Sequence, residues 1–198
     1  MTLLTTVNET HQRVAMHAVR ETLLERQAEA AGLRLVKVPI PAQCRNEIYE
    51  QAMGSAMERA KAEGVRHVIF GDLFLEDIRA YREKQLAQCE MTPVFPLWRR
   101  DTRELAKEMI AGGLSAYLTC VDPRKLDRRF AGRRFDDELL RDLPAEVDPC
   151  GENGEFHTFA NGGPMFRATI PVEAGEVVER DGFIFADFLP GGTAAGAA

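Results

Sequence analysis

The densest concentration of reactive side chains is Asp148-Pro149-Cys150-Gly151-Glu152-Asn153-Gly154-Glu155-Phe156-His157-Thr158, with three carboxylates, a thiol, an imidazole and two glycines in eleven positions. The segment carries little apolar material that would bury it, and ordering such a loop costs entropy unless something binds it. Three chemistries fit these residue types: a solvated acidic turn, a metal site with Cys150 and His157 as ligands, or a loop that grips a substrate. The metal option lacks the paired C-x-x-C or H-x-x-x-H spacing that metal sites use. A second reactive point is Gly71-Asp72, where the glycine lets backbone approach a ligand and the aspartate either caps the next helix or presents a carboxylate to a ribose or metal. His11, His17 and His67 read as structural, His67 inside a buried-strand pattern and the other two on a helix. The basic run Arg124, Lys125, Arg128, Arg129, Arg133 and Arg134 reads as a solvated face or as partners of Asp127, Asp136 and Asp137. Trp98 reads as a wall of the core or pocket, with a stacking role open to it at a strand end.

Alternating strands and helices must position these groups. Thr2 to Val7 is a short β-branched strand, and Thr10 can cap a helix running to about Ala31 before Gly32. Leu33 to Ile40 is a strand between prolines, Arg45 to Glu63 is helical up to Gly64, and Val65 to Phe70 is a near-continuous apolar strand. Leu75, Ile78, Leu86 and Cys89 share a helical face. Val94 to Trp98 leads into a helix whose Asp101 and Glu104 stand at capping-box spacing and which ends at Gly112-Gly113. Ala116 to Val121 is the fifth strand. The alternation implies right-handed crossovers and a parallel sheet covered on both faces, with ligands beyond the carboxyl ends of the strands. After Asp122 the pattern changes to a short acidic helix at Phe135 to Leu143, turn formers at Pro144 to Gly154, and strands at Phe166 to Val172, Glu176 to Glu179 and Phe183 to Phe188. These read as antiparallel hairpins.

With 198 residues, 45% hydrophobic and 28% charged, the chain has room for one sizeable core plus a small appendage, and disorder and collagen are excluded. The 25 Lys+Arg against 31 Asp+Glu leave −6, which argues against a nucleic-acid footprint over the whole surface. No apolar run approaches the roughly 20 residues that span a bilayer, and Met1 to Thr6 lacks the basic flank and apolar stretch of a secretory signal, so the cytoplasm is the expected compartment. Cys44, Cys89, Cys120 and Cys150 are scattered, as reduced thiols are.

Phe70-Gly71-Asp72-Leu73-Phe74-Leu75-Glu76-Asp77, Pro96-Leu97-Trp98, Ala111-Gly112-Gly113 and Gly151-Glu152-Asn153-Gly154-Glu155-Phe156-His157-Thr158 follow one another as in one known family. On them the chain resembles the diphthine–ammonia ligases, a branch of the PP-loop ATP pyrophosphatases, up to about Phe188, in the bacterial, adenine-nucleotide α-hydrolase-like form. The most specific block is the glycine–acid loop, E-G-G-E-[FY]-E-T in the ligases and Glu152 to Thr158 here, with Asn153 and His157 as departures. The resemblance implies an α/β fold: a HUP (Rossmann-like) parallel sheet with helices on both faces over residues 1–122, a small C-terminal α+β substrate domain over 123–190, and a flexible tail at 191–198. It implies that a substrate carboxylate attacks the α-phosphate of ATP, with Mg2+ accompanying it, and that ammonia displaces AMP to form an amide. Glu152 and Glu155 would then be catalytic, and Asn153, Gly154, His157, Thr158, Arg79 and Trp98 would contact the substrate. Thr6, Asn8, Gly71 and Asp72, at strand ends, would contact the nucleotide. No S-G-G-K-D-S phosphate loop occurs in the 198 residues, so the nucleotide-binding domain is expected to be N-terminally incomplete and its turnover impaired. A non-catalytic adenine-nucleotide or metabolite-binding module is the rival expectation. No nucleic acid or membrane partner is expected, and an uncovered sheet edge would suit a homodimer.

Overall fold

The structure, a computed structural model, describes residues 1–192; the expected tail lies mostly outside the described residues. β1 (Thr2–Asn8) comes first, as expected. A turn follows it, not the helix expected from Thr10: Asn8 Oδ1 accepts the N–H groups of Thr10 at 3.0 Å and His11 at 3.1 Å, so the asparagine does the local capping. The chain returns as β2 (Arg13–Val14), antiparallel to the end of β1, and α1 (Glu21–Ala31) begins only after Arg20. Gln12, Met16 and Ala18 lie at φ 50°, 63° and 54°, which no right-handed helix allows. Helical propensity there is overridden by tertiary contacts of Arg13 and Arg20, described below. Gly32 closes α1 in the left-handed conformation at φ 66°.

β3 (Arg34–Ile40) pairs with β1 in parallel from Thr2↔Arg34 to Asn8↔Ile40. After α2 (Asn46–Ala62), β4 (His67–Ile69) leads through α3 (Glu76–Gln88) to β5 (Thr92–Val94), again in parallel. Val38, Met57, Leu86, Cys89 and Met91 form one shared core, with Leu4, Val68 and Phe70 packed against it. The single doubly covered sheet expected from the alternation is here two parallel pairs. The second edge of β1 is taken by β2 at Val7 and Asn8, and β4 has no partner other than β5 among the described residues. β4 is also not buried as its apolar run suggests: His67 is exposed and Ile69 is 58% exposed.

α4 (Thr102–Ala111) starts as its sequence predicts, with Asp101 Oδ1 accepting the Glu104 N–H at 2.9 Å. β6 (Ser115–Val121), expected as the fifth parallel strand, instead joins an antiparallel sheet. Beyond it come a 3₁₀ turn at Arg128–Phe130 and α5 (Asp137–Asp142), then β7 (Phe156–Gly162), β8 (Val172–Arg180) and β9 (Phe183–Pro190). The order is β7-β6-β9-β8. Residues 166–170 are not a strand, because Pro164 and Pro171 interrupt the run and Asn161 and Ile170 bond each other locally. The β8–β9 turn uses Asp181 and Gly182 at φ 52° and 79°, as a two-residue hairpin requires.

Side chains alternate across this sheet. Leu118 and Phe156 join one core with Ala106 of α4, Phe130 and Leu139, while Tyr117 and Phe159 join a second with Leu23 of α1, Ile170 and Phe188. Helices therefore cover both faces of the antiparallel sheet. No helix among the described residues is long and apolar enough to cross a membrane.

Candidate functional site

The acidic segment is less solvated than its composition suggests. Asp148 and Glu155 are buried, Glu155 to 3% exposure, and Phe156 to Thr158 already belong to β7. The loop folds on itself: the Glu152 N–H donates to Asp148 Oδ2 at 2.9 Å, and Glu155 Oε1 accepts the Asp148 N–H and an Asn153 Nδ2–H, both at 3.0 Å. Glu155 Oε2 is buried without a hydrogen-bond partner. The first turn needs glycine at 151, where φ is 71° and a Cβ would stand 2.7 Å from the Phe156 carbonyl oxygen.

The loop is fastened from two sides. The Asp122 N–H donates to the Glu155 carbonyl at 2.9 Å, and Lys125 Nζ donates to the Asn153 carbonyl. Asp122 is 2% exposed and receives the Arg124 backbone N–H, Nε and Nη2; the Arg124 side chain before all else holds its carboxyl below the ordinary value. Part of the basic run thus serves the acidic loop, while Arg129 and Arg133 lie over the Phe130 ring. From the other side of the molecule, Glu152 Oε1 accepts the backbone N–H of Leu73 at 2.7 Å and of Phe74 at 3.4 Å. The structure therefore brings the Gly71–Phe74 loop and the Glu152–Thr158 segment together.

Asp72 does not cap α3, whose N-cap Leu75 has no side-chain cap. Its carboxylate is gripped by Arg82 Nε at 2.6 Å and Nη2 at 3.1 Å, with the guanidinium over the Phe70 ring. A Cβ at Gly71 would meet nothing within 4 Å, so open space lies over it. Trp98 sits in a turn, not at the end of a strand, because β5 stops at Val94 before Pro96. Arg79 lies between Phe95 and Trp98, 4.9 and 4.7 Å from their ring centroids, and pairs with Glu83. Arg79 and Trp98 line a shallow groove of about 170 Å³ with Glu76, Glu83 and Arg99. Thr6 lends its carbonyl to the Ala15 N–H, and Asn8 is occupied by its own turn.

Thr158 lines a separate cavity of about 80 Å³ inside the C-terminal core, with Cys150, Phe135 and Phe156. His157 stands against His17, not on a helix but in the β2–α1 loop, with ring centroids 4.6 Å apart. Burial and then the His17 charge push the His157 imidazole down to about 4, and burial lowers His17 too. The Cys150 thiol donates to the Thr102 carbonyl at 3.3 Å and is raised to about 12, by burial first and then by Asp148, Glu152 and Asp101. Among the described residues no three His, Cys, Asp or Glu side chains cluster as the ligands of a Cys150–His157 metal site would need to. All four cysteines are unpaired.

Sequence reasoning missed Arg82, Asp122, Lys125 and the Asp187 clamp. Burial drives the Asp187 carboxyl upward, but hydrogen bonds from Arg20 and Arg13 outweigh it and hold the group at about 2. Only the Asp122-Pro123-Arg124 spacing offered a local signal; the others join residues far apart in the chain.

Residues 101–185 match the family model of the diphthamide synthase C-terminal domain. The chain is similar to a diphthine–ammonia ligase of Bos taurus, 26% identical over 191 residues, which covers 89% of this chain and 70% of that protein. The Homo sapiens diphthine–ammonia ligase is 27% identical over the same shares. That of Danio rerio is 36% identical over 110 residues, 52% of this chain and 43% of its own.

Proposed function

We propose, from the match of residues 101–185 to the diphthamide synthase C-terminal domain and the likeness to diphthine–ammonia ligases, that the chain is a member of that family and serves an ATP-dependent, amide-forming ligation. The observation that carries this reading is the meeting of two loops expected to hold different substrates, Gly71–Phe74 and Glu152–Thr158, through the Glu152 carboxylate. In this reading the adenine nucleotide lies over Gly71, where the backbone is open. The acceptor carboxylate meets the loop of Glu152, Asn153, Gly154, Glu155, His157 and Thr158, flanked by Lys125. The acceptor oxygen attacks the α-phosphorus, pyrophosphate leaves with its bridging oxygen, and ammonia then adds to the acyl carbon as AMP departs. Such chemistry rests on positioning and charge neutralisation, which explains why no nucleophilic side chain is needed.

Among the described residues no three His, Cys, Asp or Glu side chains cluster as protein ligands for Mg2+. Asp72 would have to share Arg82 to reach a ribose, and Asn8 would have to leave its turn. Those two engagements would have to yield in the second reading as well, an adenine-nucleotide-binding module without turnover. Residues 1–198 also contain no S-G-G-K-D-S loop, and we expect slow turnover from this segment by itself. The test is release of pyrophosphate and AMP from ATP, with ammonium and a diphthine-bearing acceptor, by residues 1–198 and by a form extended with upstream coding sequence. Acceptor-dependent pyrophosphate from either form supports the ligase. ATP binding with no pyrophosphate from both supports the module, and ADP as product refutes both.

A further inference from the structure

The Glu152 carboxylate is better placed to hold two parts of the molecule in register than to react. Among the described residues, its bonds to Leu73 and Phe74 are the only hydrogen bonds or ion pairs between residues 46–98 and the assembly from α4 onward. The other ties to the antiparallel sheet come from the first third of the chain: Arg13 and Arg20 to Asp187, Arg26 to the Gly191 carbonyl, Gln27 to the Ala160 carbonyl. Leu73 is 4% exposed, so its N–H needs an acceptor, and Glu152 supplies one from 79 residues away. Both bonds fall on Oε1. Meanwhile the Glu152 backbone is fixed by Asp148 at the base of the acidic loop.

We propose that Glu152 is a positioning residue, a clasp that fixes the Gly71–Phe74 loop against the Glu152–Thr158 loop so that a ligand on one is felt by the other. Which ligands the loops carry rests on the ligase reading; the clasp itself does not. Glutamine keeps an acceptor oxygen at the same reach, whereas alanine removes it, so the two variants separate clasping from acid–base chemistry.

Amide hydrogen exchange on the full chain is the direct test. Glu152→Ala is expected to speed exchange at Leu73 and Phe74 by about tenfold to a hundredfold, with Glu152→Gln within about threefold of the parent and the Leu118 and Val121 amides unchanged. Unchanged exchange at Leu73 and Phe74 in Glu152→Ala overturns the clasp, as does a Glu152→Gln protein that exchanges like the alanine variant. A titration with ATP tests the coupling. In the parent and in Glu152→Gln, shifts at Gly71–Phe74 are expected to be accompanied by shifts at Glu152–Thr158, and in Glu152→Ala the second set is expected to vanish. Shifts that still spread in Glu152→Ala overturn the positioning role. No shift anywhere with ATP counts against the nucleotide reading and leaves the exchange result to decide the clasp.

Discussion

The antiparallel sheet and the parallel pairs are built from similar residues with different success. In the first, Phe130, Leu118, Val121 and Leu139 have no measurable exposure, and two clusters cover opposite faces. In the second, a single cluster serves both pairs and Ile69 of β4 stands 58% exposed. Antiparallel strands close on each other through short turns, as β8 and β9 do at Asp181-Gly182. Parallel strands depend on crossovers and on further neighbours, and β4 has a single one among the described residues. The difference teaches that an apolar run becomes a buried strand only where a second partner and a covering helix are both supplied.

The comparison breaks most sharply if the antiparallel half does not carry the stability. Phe130→Ala is expected to cost about 3–5 kcal/mol in urea unfolding, a large share of the roughly 5–15 kcal/mol that holds a domain folded; a cost below about 1 kcal/mol would overturn the ranking. Next in size is the histidine contact between the β2–α1 loop and β7. His157, ordinarily near 6.5, is held near 4, and His17 is lowered as well, so the native state favours neutral rings. Stability from this pair is fully present above pH 6.5 and is lost as pH falls through about 4, on the order of 2–3 kcal/mol in all. Unfolding curves of His157→Gln are expected to lack that acid limb.

Smaller still is the Asp187 clamp. Its carboxyl is held at about 2 against an ordinary 3.8, so its contribution is present above pH 3.8 and lost as pH falls through about 2. Asp187→Asn is expected to cost about 1–3 kcal/mol at neutral pH, with the gap to the parent closing towards pH 2. The smallest effect sharpens the other side of the comparison: Ile69→Thr, in an exposed strand, is expected to stay within about 0.5 kcal/mol in the same unfolding assay.

What the sequence shows in advance is whatever local rules decide. The Asp101–Glu104 cap, Gly32 after α1, the Asp181-Gly182 turn and the ranges of α2 and β3 are all readable from nearest neighbours, whereas the strand expected over Val65–Phe70 is only His67–Ile69. Long-range pairings are not readable in this way. The helix expected from Thr10 gives way because Arg13 and Arg20 are drawn to an aspartate more than 160 residues on. The strand at Ala116–Val121 has the composition of a parallel strand, and only its partners β7 and β9 reveal otherwise. At the candidate site, the acidic loop and Gly71-Asp72 stand out as residue types, but that Glu152 reaches Leu73 follows from packing alone. His157 and Thr158 look like loop residues because β7, Phe156–Gly162, lacks the regular apolar alternation that marks a strand.

The wiring of α1 has a practical corollary. The longer strands before and after it, β1 and β3, pair with each other, yet Leu23 is embedded beside Phe159, Ile170 and Phe188. A fragment cut out at residue 101, however natural its start at the Asp101 cap, would shed that lid and show a greasy aromatic flank to water. Whoever wishes to express the C-terminal portion separately should carry α1 along as an added peptide, or anticipate clumping.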